Sequence, residues 1–349
     1  MKKAMIAMSG GVDSSVAACL AKELGLDCIG ATMKLFSNYD ADDAHGVACR
    51  LSIPHYVFDL TDKFESIVIH RFVEGYERGY TPNPCIDCNR YVKFGILLSR
   101  AMELGCDFLV TGHYARIEWD DERCRFSLKK ALDDAKDQSY FLCSMTQEQL
   151  AHTLFPLGGM KKKEVKDVAS EQGFLNSQKR ESQDICFVTC GSYADFIEQH
   201  TKNVKNLGKN HEPGDFVDFD GKPLGRHKGL IRYTVGQRKG LGIASSHPLY
   251  VCAKNARDNT VTLGGEEMLF STTVTAGAFN WIRPRPVCPI RVTAKTRYRQ
   301  AEQWATVVSA GVDHARIEFD EPQRAVAPGQ ALVLYDGEDV VGGGTIQRS

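Results

Sequence analysis

The sequence predicts an α/β protein whose N-terminal part is a parallel sheet and whose C-terminal part consists of small β domains. Strand-length apolar runs alternate with helix-like segments up to about residue 200, and short β-type runs dominate after a polar, glycine-rich segment. At roughly 100–200 residues per domain, 349 residues suggest two or three domains. We place them at residues 1–202, 203–270 and 271–349.

The alternation begins at the N-terminus and continues through residue 115. "AMIAM" is typical of a short buried strand, and the next segment has helical spacing that ends near Gly25. The following strands and helices are predicted in turn at "DCIGATMKL", "DADDAHGVACRLSI", "PHYVFDL", "VKFGILLSRAMELG" and "DFLVTGHYA". This order favours a parallel sheet covered by helices.

The second part of the chain is β-rich and basic. Its strands are predicted at "HPLYVCAKN", "NTVTLGG", "PIRVTAKTRYR", "WATVVSAG", "HARIEFDEP" and "QALVLYDGEDVVGGGTI". Residues 1–200 carry 23 basic and 29 acidic side chains, whereas residues 201–349 carry 20 and 15. Windows 222–239 and 283–299 hold basic residues and no acidic ones, which indicates either a solvated basic face or a polyanion partner.

Composition excludes several other classes of protein. Hydrophobic content of 43% and charged content of 25% are ordinary for a globular protein, and no apolar run approaches the roughly 18 residues of a membrane span. The N-terminus lacks the long apolar region of a signal peptide, so we expect a cytosolic, cytoplasmic protein. Twelve cysteines in such a chain do not indicate a disulfide framework. Four of them, Cys85, Cys88, Cys186 and Cys190, have polar neighbours.

The loop "SGGVDSS" carries the clearest chemical signal. Its glycines allow backbone N–H groups to converge on an anion, its serines add donors, and the next helix directs its positive end to the same point. The spacing and lysine of a Walker A loop are absent. The sequence predicts a phosphate site here, with Asp13 either orienting the loop or holding Mg²⁺.

Later segments add candidates beside this loop. Met33 ends the second predicted strand and is either core or a ligand contact, and Gly112 permits close approach of the backbone. His113 is either a nucleotide or base contact or a satisfied structural histidine. Cys186 follows Lys179 and Arg180, which could lower the pKa of its thiol.

These stretches together resemble the tRNA-specific 2-thiouridylase family of the PP-loop ATP pyrophosphatase superfamily. The matching pieces run in the family's order from residue 4 to the C-terminus: "AMSGGVDSS", "TPNPCIDCNRYVKFG", "TGHYA", "KDQSYFL", "ESQDICFV", "YTVGQRKGLGI", "RYRQ" and "APGQALVLYDGEDVVGGG". The resemblance implies a PP-loop domain, a small central tRNA-binding domain and a C-terminal β-barrel. It also implies a cytoplasmic enzyme that uses ATP and Mg²⁺ to replace O2 of the wobble uridine of tRNA with sulfur.

The resemblance also implies roles for individual residues. Cys88 matches the nucleophile and Cys186 the cysteine that carries persulfide sulfur. The positions that match ATP contacts are Ala7, Met8, Ser9, Gly10, Gly11, Val12, Asp13, Ser14, Met33 and Gly112. The positions that match contacts to tRNA or its target base are Asn83, Pro84, Cys85, His113, Lys136, Asp137, Gln138, Arg297, Tyr298 and Gln330. The sulfur donor would be a sulfur-relay protein, a cysteine desulfurase or free sulfide.

The chain departs from the family's pattern at Cys85, where the common motif has aspartate. Cys85, Cys88 and Cys186 could therefore hold a [4Fe–4S] cluster with one iron open, or act through persulfide and disulfide chemistry. A zinc site would need a fourth ligand such as Cys190, and unrelated thiols are the remaining alternative.

Two other functions remain open on the sequence alone. One is a PP-loop ligase that acts on a small molecule, and the other is an RNA-binding protein with a vestigial nucleotide site. A small-molecule ligase predicts a glutaminase or small-substrate domain in place of basic β domains, and a vestigial site predicts loss of Asp13 or Cys186.

Overall fold

The structure is a computed structural model that describes residues 1–36, 41–174, 185–188, 191–201 and 209–348. The predicted Cys190, Lys179 and Arg180 lie outside these ranges. Within them, no helix combines the length and the apolar character needed to traverse a lipid bilayer.

The N-terminal domain is built on a parallel five-stranded sheet with the order β3-β2-β1-β4-β7. Its strands are β1 Lys3–Ala7, β2 Asp27–Lys34, β3 His55–Asp59, β4 Phe108–Val110 and β7 Thr153–Leu154. The central strand β1 is buried because its apolar residues are covered on both faces. Strand order reverses beside β1, and ligands of open α/β sheets bind at the carboxyl ends of the strands at such a point.

Helices cover both faces of this sheet. The α-helices are α1 Val12–Glu23, α2 Asp42–Leu51, α3 Thr61–Phe64, α4 His70–Glu77, α5 Pro84–Asp87, α6 Leu98–Glu103, α7 Ser139–Leu142, α8 Gln147–Ala151, α9 Lys162–Glu171 and α10 Tyr193–Thr201. Two π-helices, Glu65–Ile69 and Cys88–Leu97, continue α3 and α5. Sequence periodicity predicted a helix over "VKFGILLSRAMELG" but not its π winding.

The central domain is a four-stranded sheet with the order β10-β11-β8-β9. Its strands are β8 Gly214–Val217, β9 Pro223–His227, β10 Tyr250–Asn255 and β11 Thr260–Gly264. Single-turn 3₁₀-helices at Lys209–His211, Leu230–Arg232 and Glu266–Leu269 connect these strands and their neighbours. Phe216, Val251 and Val261 are fully buried in its small core.

The C-terminal domain is a six-stranded barrel, which β12 closes by pairing with both β15 and β17. Its strands are β12 Phe270–Trp281, β13 Ile290–Lys295, β14 Gln303–Ala310, β15 His314–Arg324, β16 Ala331–Asp336 and β17 Asp339–Ile346. The predicted α/β architecture with a C-terminal barrel is therefore confirmed.

A hairpin of the first domain extends the barrel sheet. It was not among the strands predicted from the sequence. The hairpin consists of β5 Arg116–Asp120 and β6 Arg125–Lys129, and Lys129 of β6 pairs with Asp339 of β17. One apolar core accordingly contains Leu109 of the first domain together with Val333 of the barrel.

Candidate active site

The glycine loop connects β1 to α1 at the carboxyl edge of the parallel sheet. Gly10 has a φ of +74°, a left-handed conformation that favours glycine. Ser14 Oγ donates to the carbonyl of Gly11 at 2.9 Å and lies 3.2 Å from Ser9 Oγ. These short contacts fold the loop back on the N-terminus of α1, so that its donors converge on one point.

The carboxylate of Asp13 is held from two directions within this loop. Lys162 Nζ lies 2.6 Å from Asp13 Oδ1, and Tyr114 donates its hydroxyl hydrogen to the same oxygen at 2.8 Å. Lys162 begins α9 and is 149 residues away in sequence. The contacts favour the loop-orienting role for Asp13, and sequence reasoning did not identify Lys162.

Gly112 lies where β4 meets the loop. A Cβ atom at this position would stand 2.7 Å from the carbonyl carbon of Asp13 and 2.9 Å from the nitrogen of Ser14. Both neighbours are backbone atoms, so any larger residue would displace the loop. The absence of a side chain at Gly112 is what allows the loop to dock on β4.

A cavity of about 410 Å³ opens in front of the loop and extends to three thiols. The predicted residues that line it are Ala7, Met8, Ser9, Asp13, Ser14, Met33, Pro84, Cys85, Cys88, Gly112, His113, Gln138 and Cys186. Leu35, Phe36, Phe64, Val68, Ile185 and Phe187 give it an apolar wall. The structure thus brings together thiols from two distant segments with the phosphate loop.

The three thiols affect one another's ionisation. Cys85 and Cys186 are exposed and Cys88 is half-buried. Although Cys85 and Cys186 keep exposed surface, the surrounding protein removes much of the water from each sulfur. This desolvation is the main cause that raises the pKa of all three thiols, and it raises the pKa of Cys186 to about 11. Negative charge on Cys85 or Cys88 would raise the pKa of Cys186 further, whereas Lys93 lowers it. The predicted activation of Cys186 by Lys179 and Arg180 stays a prediction, because both residues lie outside the described ranges; among the described residues, burial is the largest influence on its pKa.

A short helix separates this cavity from a second one of about 390 Å³. Pro84 and Cys85 of α5 line the thiol cavity. Ile86 and Asp87 line the second cavity, together with Asn83, which precedes the helix. Asn83 caps α5 by accepting the backbone N–H of Cys85 at 3.1 Å.

Several of the predicted tRNA contacts have structural partners within the chain. Asp137 is buried, and its carboxylate accepts from the N–H of Ala131 and from the N–H and the hydroxyl of Ser139. Arg297 donates to the carbonyls of Val235 and Ala325. Both side chains therefore bond to other parts of the chain, and their contacts with RNA stay predictions.

Other predicted contacts lie near the junction of the first domain and the barrel. Tyr298 packs on Phe141 with ring centroids 4.4 Å apart, and Gln330 donates to the carbonyl of Thr81 at 2.7 Å. Gln138 accepts from the N–H of Tyr114, and Lys136 precedes it on the same loop.

Metal binding is not preformed in the described ranges. No group of three or more His, Cys, Asp or Glu side chains there is arranged to hold a metal ion. The described residues therefore do not support a zinc site. The fourth ligand suggested for zinc, Cys190, lies outside them.

Comparison with known proteins identifies the chain over its whole length. Family models match residues 2–190 (tRNA methyl transferase HUP domain), residues 196–265 (tRNA methyl transferase PRC-barrel domain) and residues 271–346 (aminomethyltransferase beta-barrel domain). Among solved structures, an NMN synthetase from Francisella tularensis is 19% identical, with a TM-score of 0.35 over 52% of this chain and 66% of that chain. That likeness is too weak to carry an argument.

Curated relatives give the same result at much higher identity. The tRNA-specific 2-thiouridylase MnmA of Acetivibrio thermocellus is 47% identical over 99% of both chains. The protein of the same name from Clostridioides difficile is 45% identical over 100% of this chain and 99% of its own. At this identity and coverage, the chain belongs to the tRNA-specific 2-thiouridylase family.

Proposed function

We propose that this protein is an ATP-dependent tRNA-uridine 2-sulfurtransferase that exchanges O2 of the wobble uridine for sulfur. The observation that carries the proposal is the single cavity shared by the phosphate loop and the three thiols. A phosphate site provides for activation of an oxygen by ATP, and thiols provide the sulfur chemistry. The family relatives are named tRNA-specific 2-thiouridylases, which agrees with thiolation of a tRNA uridine.

The first step is adenylation of the uridine. Its O2 attacks the α-phosphorus of ATP, the bond from that phosphorus to the bridging oxygen breaks, pyrophosphate leaves, and the N3 proton passes to solvent. The loop from Ser9 to Ser14 would hold the phosphates, and its shape is fixed by bonds from the Ser9 N–H to Ser14 Oγ and from Ser14 Oγ to the Gly11 carbonyl. Adenylation turns O2, a poor leaving group, into part of a phosphate ester.

Mg²⁺ would enter this site bound to the phosphates of ATP. Asp13 is the only carboxylate among the described residues that line the cavity, and Lys162 and Tyr114 both bind its Oδ1. An arrangement with a paired carboxylate fits a cation that arrives with its own phosphate ligands.

The second step transfers sulfur. In the persulfide route, the terminal sulfur on Cys186 adds to C2, and the C2–O2 bond breaks so that O2 leaves on AMP. The Cys88 thiolate then attacks the sulfur of Cys186, which releases 2-thiouridine and leaves a Cys88–Cys186 disulfide. A thiol reductant must return two electrons before the next turnover.

The cluster route uses the same thiols differently. Cys85, Cys88 and Cys186 line one cavity, and three thiolates would hold a [4Fe–4S] cluster with one iron lacking a protein ligand. A bound [4Fe–4S] cluster would supply inorganic sulfide beside the adenylated base.

The RNA reaches this cavity by base extrusion. A stacked uridine exposes too little of O2 for reaction, so enzymes of this kind take the base out of the stack. Exposed cations of the central domain, among them Lys222, Lys228 and Arg238, would hold the backbone. Cys186 is exposed, so a sulfur-relay protein, a cysteine desulfurase or free sulfide could reach it.

The test combines nucleoside analysis with anaerobic purification. We expect the wild-type protein, ATP and a sulfide or persulfide source to form 2-thiouridine at the wobble position of a tRNA transcript. Cys88→Ser and Cys186→Ser should lower this by at least about a thousandfold, whereas Cys49→Ser, a matched exposed thiol outside the cavity, should not. Unmodified tRNA from wild-type enzyme with every sulfur source would refute the proposed activity.

Iron and sulfide content separates the two sulfur routes. The cluster route predicts about four iron and four sulfide per active chain, and loss of both iron and activity in Cys85→Ser. Active, iron-free protein, or full activity of Cys85→Ser, would exclude the cluster and leave the persulfide route.

A further inference from the structure

Lys93 carries a positive charge to which neither step of the proposed reaction assigns a role. It is the only Lys or Arg among the described residues that line the thiol cavity. Asp13, the only carboxylate there, is neutralised by Lys162 at the far end. The described residues place no carboxylate within ion-pair distance of Lys93, and its only side-chain hydrogen-bond partner there is His113.

The π-helix explains how Lys93 reaches the thiols. At 100° per residue, an α-helix would place residues five apart about 140° from each other around the axis. The wider π turn, with its i→i+5 hydrogen bonds, brings Cys88 and Lys93 close to the same face of the helix Cys88–Leu97. The charge of Lys93 acts on all three thiols, which agrees with a position between them.

The neighbouring histidine fixes the direction of the ammonium. Lys93 Nζ lies 3.5 Å from His113 Nε2, and His113 Nδ1 lies 2.7 Å from Thr111 Oγ1. Because an ammonium only donates, Nε2 accepts and Nδ1–H donates to Thr111. Burial and the charge of Lys93 hold the pKa of His113 well below its ordinary value, so this ring is neutral and adds no charge.

Among the described residues, this half-buried ammonium has no anionic partner, and such a position is costly for a charge without a compensating anion. The proposed reaction supplies one, since the adenylated uridine carries a phosphate next to the carbon that sulfur attacks. Lys93 contacts His113, which follows the end of β4, and both residues line the cavity that the phosphate loop shares with the thiols.

We propose that Lys93 is a catalytic residue of sulfur transfer whose ammonium binds the α-phosphate of the adenylated uridine. The inference rests on the proposed function. When sulfur adds to C2, the C2–O2 bond breaks and its electron pair leaves with O2 on AMP. Lys93 stabilises the charge that develops on that phosphate, and the step as written transfers no proton to or from it.

The test compares Lys93→Met, which keeps the apolar stem, with Lys93→Arg, which keeps the charge. We expect Lys93→Met to lower kcat for 2-thiouridine formation about 100- to 1,000-fold, the usual effect of removing one transition-state donor. KM for tRNA and affinity for a non-hydrolysable ATP analogue should change less than about threefold, which also shows that the variant is folded. Lys93→Arg should keep at least about a tenth of wild-type kcat, and the exposed Lys63→Met should match wild type.

Two results would overturn the role of Lys93 while leaving the proposed function intact. One is a Lys93→Met enzyme with kcat within threefold of wild type. The other is a folded Lys93→Arg enzyme as inactive as Lys93→Met, which would make the side chain's shape, and not its charge, the requirement. If wild-type enzyme forms no 2-thiouridine, the proposed function fails and this inference fails with it.

Discussion

The two ends of the cavity differ in how their charges are compensated. At the phosphate end, Asp13 is bound by Lys162 and Tyr114, and Ser14 is bound within the loop. At the sulfur end, burial keeps the thiols protonated, and Lys93 faces them with no carboxylate partner in the part of the chain that the structure describes.

This difference teaches how one pocket can serve two successive steps. The phosphate end is organised before ATP arrives, so binding costs little rearrangement. At the sulfur end, the thiols are neutral at rest, and in the proposed reaction the ammonium of Lys93 would meet the negative phosphate of the adenylated base. The predictions below challenge this contrast, beginning with the largest effect.

The ionisation of Cys186 provides the largest expected effect. Its thiol has a pKa of about 11, against an ordinary value of 9.0, because burial disfavours the thiolate. Alkylation proceeds through the thiolate, so its rate in native, reduced, metal-free protein should rise about tenfold per pH unit, or about a thousandfold between pH 7 and pH 10. The unfolded chain should gain only about a hundredfold and level off above pH 9. Mass spectrometry of the peptide that contains Cys186 measures both rates, and a native plateau below pH 8 would show an activated thiol instead.

Gly112→Ala should damage the phosphate end by about two orders of magnitude. The new Cβ would stand 2.7 Å from backbone of Asp13, and a loop displaced by part of an ångström loses its alignment with ATP. We expect kcat/KM for ATP to fall about a hundredfold, while the alkylation rate of Cys186 stays within twofold of wild type.

Gly46→Ala is the matched control for this substitution. Gly46 lies in α2 with nothing within 4 Å of an added Cβ, so alanine should raise helix stability by about 1 kcal/mol and leave ATP use unchanged. Equal activities of the two variants would show that the loop is not docked tightly on β4.

Lys162→Met should have the smallest effect, again confined to the phosphate end. It leaves the Asp13 carboxylate uncompensated beside the phosphates, and we expect KM for ATP to rise about tenfold, or about 1.4 kcal/mol. Adding Asp13→Asn should recover part of that loss because it removes the repelling charge. The neighbouring exposed Lys163→Met serves as the control, and a sulfur-transfer defect in Lys162→Met at saturating ATP would break the separation between the two ends.

Local structure was predictable from sequence, and contacts between distant segments were not. The phosphate loop was identified because its glycines, serines and following helix are contiguous, and "DFLVTGHYA" placed Gly112 at a strand end. Resemblance to a family, and not spacing, put Cys186 beside Cys85 and Cys88. The ion pair of Asp13 with Lys162 joins residues 149 apart, a separation at which periodicity carries no information.

Two features of the sulfur end show why local patterns fell short there. The segment after Cys88 has ordinary helical periodicity, which did not predict the π winding that presents Lys93. For Cys186, neighbouring cations suggested a lowered pKa, but burial dominates among the described residues because a small apolar cavity disfavours any thiolate.

The hairpin that joins the first domain to the barrel has a consequence for whether the protein or the tRNA would bend when the two bind in the proposed reaction. Lys129 of β6 pairs with Asp339 of β17, and Leu109 and Val333 lie in one core. The first domain and the barrel are therefore not free to move independently of each other. In the proposed reaction, the deformation would then fall on the RNA, whose anticodon loop would have to open against these two joined domains. Discrimination among tRNAs would then depend on the energy that each anticodon loop needs to unstack its wobble base. The deformability of the RNA would contribute to specificity.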